Sequence, residues 1–253
     1  MILSQTLARA QPLRRAVDKP QFKGAVTDIL GSGLRCSDNA DEPTPQAFLV
    51  EQPPHWNLQT HFHQRHQFQV VVRGSGTLGR HPVAPFAIHY ASAHSGYGPL
   101  LAGADGLSYL TLRVVSDTGA WYLPDSREHL KLRIPKQQVH AAPSLAAEQV
   151  HLLAEPQQEP LITQDEGGLA AWLLRLPAGT RAPAPAGSEA GGGRFYVVME
   201  GSLLLPGDEL EGLATVYLGR DEILELQAGA RGAQVLVLQF PAAAMLPVPE
   251  PAS

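Results

Sequence analysis

Apolar residues in this chain come in short runs, many of them alternating with polar residues, and few recur at the spacing of a helix. The clearest runs are Gln67–Val72, Leu107–Val115, Leu169–Leu176, Arg194–Met199, Glu222–Leu226 and Ala233–Phe240. The 24 glycines and 22 prolines are spread between and around them. Short β-rich runs interrupted this often predict an all-β chain of sandwich or barrel type. Helical periodicity is confined to Ser4–Arg15 and Pro143–Leu153. The end of the chain, Leu246–Ser253, holds three prolines in eight residues and is expected to be loose.

The runs also repeat. Gln69-Val-Val-Val-Arg-Gly74-Ser75 resembles Tyr196-Val-Val-Met-Glu-Gly201-Ser202, an offset of 127 residues. Ahead of it, Ala47-Phe-Leu-Val with Pro53 parallels Ala171-Trp-Leu-Leu with Pro177. Behind it, Ile88…His94 is matched to Leu226…Gly232, and Leu107–Val114 to Ala233–Leu238. Four matches in one order imply two similar halves joined within 136–160. The expected division is an N-terminal arm over 1–20, a first barrel over 21–140, a second over 141–245 and a flexible tail over 246–253.

Composition narrows the partners. With 19 Lys and Arg against 24 Asp and Glu, the net charge is −5, and no long basic run exists to meet phosphates. Nucleic acid is therefore not expected as a partner. No apolar run approaches the roughly 20 residues that span a bilayer, so no membrane partner is expected either. The single cysteine, Cys36, has no internal partner. A reducing, cytoplasmic location is the expectation, since the first twenty residues carry no apolar signal block.

Chemistry concentrates in the first half. Seven of the ten histidines lie between 55 and 94: His55, His61, His63, His66, His81, His89 and His94. In a strand, residues two apart share a face, so His61 and His63 project together. Two imidazoles from one strand and a third from a neighbour make a facial nitrogen set for a transition metal. The plainer alternative is a polar, half-exposed strand.

The spacing His61-Phe-His63, three residues, Gln67, six residues, Gly74 resembles the first motif of the cupin superfamily, the double-stranded β-helix or jelly-roll barrels. Ile88…His94 resembles that family's second motif, an apolar strand and turn ending in a histidine. Two positions depart from the pattern: the opening glycine is His55, and the glutamate is Gln67. The resemblance implies tandem barrels (a bicupin) with metal ligands His61, His63 and His94. Gln67 would be a fourth ligand or would orient a bound group. The second copy has Ser188, Ala190, Arg194 and Gly232 at the corresponding positions and is expected to hold no metal; Glu189 would face the other way, and Trp172 is expected in the core.

Further candidates around such a site are Gln69, on the Gln67 face; Tyr97, a phenol just beyond His94; and Arg113, inward-facing if Leu110, Leu112 and Val114 pack outward. His66 is expected to be exposed, and His89 could face either way. A neutral ligand set leaves the charge of a divalent ion uncompensated, which favours an anionic small molecule. One divalent transition metal is expected, iron first, with zinc, nickel or manganese as alternatives. The implied activity is an Fe(II)-dependent dioxygenase. Two alternatives stay open: a non-catalytic, sensor-like metal or small-molecule binder, and a metal-free isomerase or epimerase using a histidine base. A homodimer is a further expectation.

Overall fold

A computed structural model describes residues 1–31, 44–117, 119–131, 135–144, 152–185 and 191–246. Regular structure among the described residues is mostly β-strand, in two large antiparallel sheets, one in each of two compact units, and a separate two-stranded ribbon. One unit comprises Leu13–His140 with the segment from Ala244. The other comprises Met1–Pro12 with Ala141–Ala243.

Residues 1–20 are therefore not an arm. Ile2–Gln5 pairs with Thr215–Leu218 at the edge of the second unit's sheet. Arg15–Lys19 pairs with Phe22–Leu30 at the edge of the first. The helix expected over Ser4–Arg15 shrinks to Leu7–Ala10, capped by Thr6 Oγ1 accepting from the Arg9 amide, followed by a 3₁₀ turn over Gln11–Leu13. Flanking strands claim the backbone on both sides, which overrides weak helical propensity. Most of Pro143–Leu153, and the tail beyond Leu246, lie outside the described residues. No helix in the described residues is long and apolar enough to cross a membrane.

The first unit's main sheet runs Gln138–Ala141, Ile88–Ala91, Gln67–Leu78, Leu100–Arg113, Gln46–Gln52, Phe22–Leu30, Arg15–Lys19. The second unit's runs Ile2–Gln5, Thr215–Leu218, Gly191–Leu205, Glu225–Pro241, Ala170–Leu176, Gln157–Ile162. The two orders share a frame. Gln67 pairs with Ala91 as Arg194 pairs with Leu218, and Phe48 pairs with Thr111 as Trp172 pairs with Val237.

One match within the repeat is corrected by this pairing. Gly74 has φ +74°, and a Cβ there would lie 2.2 Å from the Gly106 carbonyl oxygen. Gly201 has φ +70°, and its Cβ would lie 2.0 Å from that of Gly232. Gly232 is thus the partner of Gly201 as Gly106 is of Gly74, and does not correspond to His94. The Leu226…Gly232 segment shares a spacing with Ile88…His94 but has a different strand partner. Thr215–Leu218 is the true counterpart of Ile88–Ala91, which sets Asp221 opposite His94 in the alignment.

The interiors differ although the frames agree. In the second unit Trp172, Tyr196 and Val237 join a buried apolar cluster with Val198, Val216 and Val235. The corresponding trio in the first unit is Phe48, Gln69 and Thr111, smaller or more polar at each position. All three line a cavity of about 470 Å³.

The close glycine pairs generate a prediction. Gly74→Ala and Gly201→Ala must each force backbone apart and are expected to cost at least ~2 kcal/mol. Gly207 also has a positive φ, +79°, but nothing within 4 Å of a Cβ. Gly207→Ala should cost only ~1 kcal/mol. Denaturant unfolding of the three variants checks the order; equal losses would show that contact with the facing carbonyl is not what these glycines relieve.

Candidate metal and ligand site

The site begins with the short strand His61–Phe62, which pairs with Trp121–Tyr122 and also bridges Tyr97. His61 N–H donates to the Tyr97 carbonyl at 3.1 Å, and Tyr97 N–H returns a bond to the His61 carbonyl at 2.9 Å. His55, at the departing glycine position, has φ +59°. That left-handed conformation costs a non-glycine residue ~1–2 kcal/mol.

Strand alternation places His61 and His63 on the cavity wall with Phe62 facing away. Each imidazole is held through Nδ1. His61 Nδ1 lies 2.7 Å from the Gln59 carbonyl, and His63 Nδ1 lies 2.6 Å from Asp117 Oδ2. The Gln59 carbonyl assigns the proton of His61 to Nδ1; at His63 the 2.6 Å contact with Asp117 does the same, against a longer 3.1 Å approach of Arg113 Nη2 to that nitrogen. Burial pushes the His61 pKa down to about 3, reinforced by His63; burial followed by the Arg113 charge also lowers His63. Both rings are neutral at pH 7.

His94 does not join them. It follows the strand Ile88–Ala91 in a turn, with φ +54°, and its N–H donates to the His63 carbonyl at 2.7 Å. Its ring packs 5.6 Å from Phe62, and its Nδ1 lies 3.3 Å from the His129 carbonyl. That is the Phe62 side of the strand, away from the cavity. The expected three-histidine set is therefore not assembled, because the turn carries His94 to the wrong face. Three residues on, Tyr97 takes the place beside His61, at 4.5 Å between rings, and lines the cavity.

Gln67 is buried behind that phenol. Its Nε2 donates to the Tyr97 hydroxyl, and its Oε1 accepts from Arg113 Nη2 at 2.8 Å. Arg113 does face the interior. It is 1% exposed, donates to Gln46 Oε1 at 2.7 Å and lies over the Phe48 ring at 5.4 Å. Gln69 reaches the cavity and is joined through Oε1 to His89 Nδ1 at 3.0 Å. His89 stacks 4.5 Å from His140, which stacks 3.9 Å from His81. His66 is only partly exposed, its Nδ1 2.6 Å from the Tyr90 hydroxyl.

Sequence reasoning missed Asp117 and Tyr122. Asp117 is 2% exposed and lies 3.9 Å from Arg113 as well as bonding His63. Burial alone would raise its pKa, but the hydrogen bond from His63 and the charge of Arg113 outweigh that and bring it to about 2. The carboxylate absent at Gln67 is thus present one layer out, behind His63. Its only signal was an acid four residues after an inward arginine, beyond the end of a strand.

The donor chemistry can be tested against a divalent ion. Two neutral imidazoles fixed through Nδ1, one by a carboxylate, fit the pattern of oriented metal ligands. Among the described residues no group of three or more His, Cys, Asp or Glu converges. The Tyr97 hydroxyl, at the same wall, is kept protonated by burial well above its ordinary range and is bonded to Gln67, which makes it a poor ligand. The residues would fit an ion held by His61 and His63 and completed by a bound molecule. In the second unit, Arg194 occupies the Gln67 position and donates to the Pro185 and Glu222 carbonyls at 3.0 and 3.1 Å. Ser188, Glu189 and Ala190 lie outside the described residues, and Trp172 is buried as expected.

No protein-family model matches the sequence, and no curated protein does. Solved structures share the fold. A putative dioxygenase from Nostoc punctiforme PCC 73102 is 13% identical over 98% of this chain and 85% of its own, with a TM-score of 0.58. The nickel(II) complex of bacterial pirin from Escherichia coli is 10% identical over 95% and 99%, with a TM-score of 0.52. A cupin 2 conserved barrel domain protein from Leptotrichia buccalis is 10% identical over 94% and 96%, with a TM-score of 0.50. The fold is that of the cupins, two barrels in tandem.

The Asp117 environment gives a signed pH prediction. Its folded pKa of about 2 lies below the unfolded value of ~3.9, so it stabilises the fold above pH ~4 and stops doing so as the pH falls towards 2. The margin of wild type over Asp117→Asn should shrink by ~2 kcal/mol as the pH falls from 6 towards 2. Urea titrations across that range check it, and a gap independent of pH would mean the carboxylate's charge is not what stabilises.

Proposed function

We propose that the Leu13–His140 unit binds a small molecule with an apolar body and an acidic head, at a divalent transition-metal ion held by His61 and His63. In this reading it is an oxygenase-type enzyme, oxidising that molecule with dioxygen. The observation that carries the reading is the pair of cavity-lining imidazoles, each anchored through Nδ1, His61 at the Gln59 carbonyl and His63 at Asp117. The dioxygenase neighbours agree with it at the level of fold.

A bound ion supplies Lewis acidity toward the acidic head and, if it is iron, redox chemistry with dioxygen. The rest falls to the chain's own groups. Asp117 and the Gln59 carbonyl keep both imidazoles in the ligating tautomer. Gln67 holds Tyr97 and Arg113 in fixed relation. Phe22, Phe48, Val50 and Leu58 supply an apolar wall that admits a hydrocarbon body and limits water. Arg113 is balanced by Asp117, so the preference for an anion comes from the ion itself, with Lys19 adding positive charge along the cavity lining.

A second reading rests on the same Asp117–His63 pair. An imidazole oriented by a carboxylate is also the arrangement of a general base, and a metal-free isomerase would use it so. Metal analysis of protein purified without a nickel column separates the two. We expect a stoichiometric divalent ion in wild type, lost in His61→Ala and His63→Ala and retained in His94→Ala. Oxygen uptake with aromatic or keto acids should need that ion. Wild type that stays metal-free after anaerobic iron addition overturns the first reading. Metal and acid binding without oxygen uptake removes the oxidation and leaves a binding protein.

A further inference from the structure

Three phenols line the cavity, and they are not equivalent. The Tyr97 hydroxyl accepts from Gln67, and the Tyr109 hydroxyl accepts from Gln52 Nε2 at 3.4 Å. Among the described residues the Tyr122 hydroxyl has no protein partner. Tyr122 nonetheless sits in a fixed frame. The ribbon Trp121–Tyr122 pairs residue for residue with Phe62 and His61, so Trp121 falls on the Phe62 side and Tyr122 on the His61 side.

The outer side of that ribbon is packed solid. Trp121 stacks 6.1 Å from Phe62 and meets His129 at 4.0 Å, while His94 lies against Phe62. Backbone bonds hold the ribbon's exit: Leu123 N–H donates to the Thr60 carbonyl and Ser126 N–H to the Tyr122 carbonyl, both at 2.9 Å. His94 thus belongs to the support beneath the ribbon. On the inner side the Tyr122 ring lies 5.6 Å from His61 and is half-buried in the cavity wall.

A rigidly held phenol, unclaimed by the protein and beside the histidine pair, is a hydrogen-bond donor awaiting an acceptor. We propose that Tyr122 is a ligand-contacting residue whose hydroxyl donates to the acidic head of the molecule bound at His61 and His63. It selects a carboxylate or enolate oxygen over a neutral group, because a hydrogen bond to a charged acceptor is the stronger. Burial raises the Tyr122 pKa, so the group stays a donor through the physiological range. This inference rests on the reading of the site as one for small acids.

The test uses cobalt(II) alone and benzoate as probes, with benzyl alcohol as the neutral comparison, on full-length wild type and Tyr122→Phe. Both proteins should take up cobalt equally. Benzoate should bind the variant about 10- to 100-fold more weakly, while benzyl alcohol should not discriminate. Equal benzoate affinity in the two proteins overturns the role of Tyr122. Wild type that binds cobalt but no benzoate overturns the acidic-ligand reading, and this inference with it. Wild type that binds no cobalt overturns the metal reading alone, and the benzoate comparison then stands on metal-free protein. As a check that does not depend on the variant's folding, the Tyr122 ¹³Cζ resonance of wild type should move on benzoate addition; an unmoved resonance counts against the contact.

Discussion

The first barrel's interior depends on a buried ion pair. Arg113 and Asp117 are each almost wholly removed from water and lie 3.9 Å apart. Neighbours satisfy part of each charge, Gln46 and Gln67 for the guanidinium and His63 for the carboxylate, while Arg113 Nε and Asp117 Oδ1 are left to the attraction between the two groups. Breaking a pair of this kind by removing one member costs roughly 3–5 kcal/mol, since the survivor is left uncompensated. The consequence is geometric as much as energetic. Gln67 reaches on to Tyr97, so the charge pair orients His63 directly and Tyr97 through Gln67.

The second barrel shows what the same frame does without that pair. Gln239 stands where Arg113 does: it pairs with Arg194, the counterpart of Gln67, one step beyond the Leu238–Phe195 pair that matches Leu112–Phe68. Its amide donates to the Gly168 carbonyl. Tyr196, Trp172 and Val237 occupy the space that the first barrel leaves open. Apolar filling there needs no charge compensation. The glycine approach at Gly201 and Gly232 is kept all the same, because it serves strand crossing and not chemistry.

Legibility from sequence followed the range of the physics. Strand alternation is local, so the β class, the tandem repeat and the shared face of His61 and His63 could be read directly. Positions beyond a turn could not. His94 matched a spacing, but its left-handed backbone conformation sends the ring to the Phe62 face, and no periodicity encodes that. Gly232 was matched by spacing when its strand partner, visible only in the sheet, was Gly201. Asp117 and Tyr122 lie in a connection after Arg113, where fold and not pattern decides what approaches the cavity. Tyr97 could be named because it follows His94 by three residues, and Arg113 because strand alternation turns it inward.

The edge strand Ile2–Gln5 has a bearing on how the chain is made. Every other strand of its sheet comes from residue 157 onward, and its direct partner is Thr215–Leu218. On a ribosome the first barrel's strands emerge and can pair among themselves while Ile2–Gln5 waits for a partner more than two hundred residues away. During that interval the backbone N–H and C=O groups that will pair with Thr215–Leu218 are an unsatisfied β-edge. The intervening barrel must therefore fold without recruiting it, and the short helix Leu7–Ala10 with its 3₁₀ extension separates the waiting strand from the first sheet strand, Arg15–Lys19.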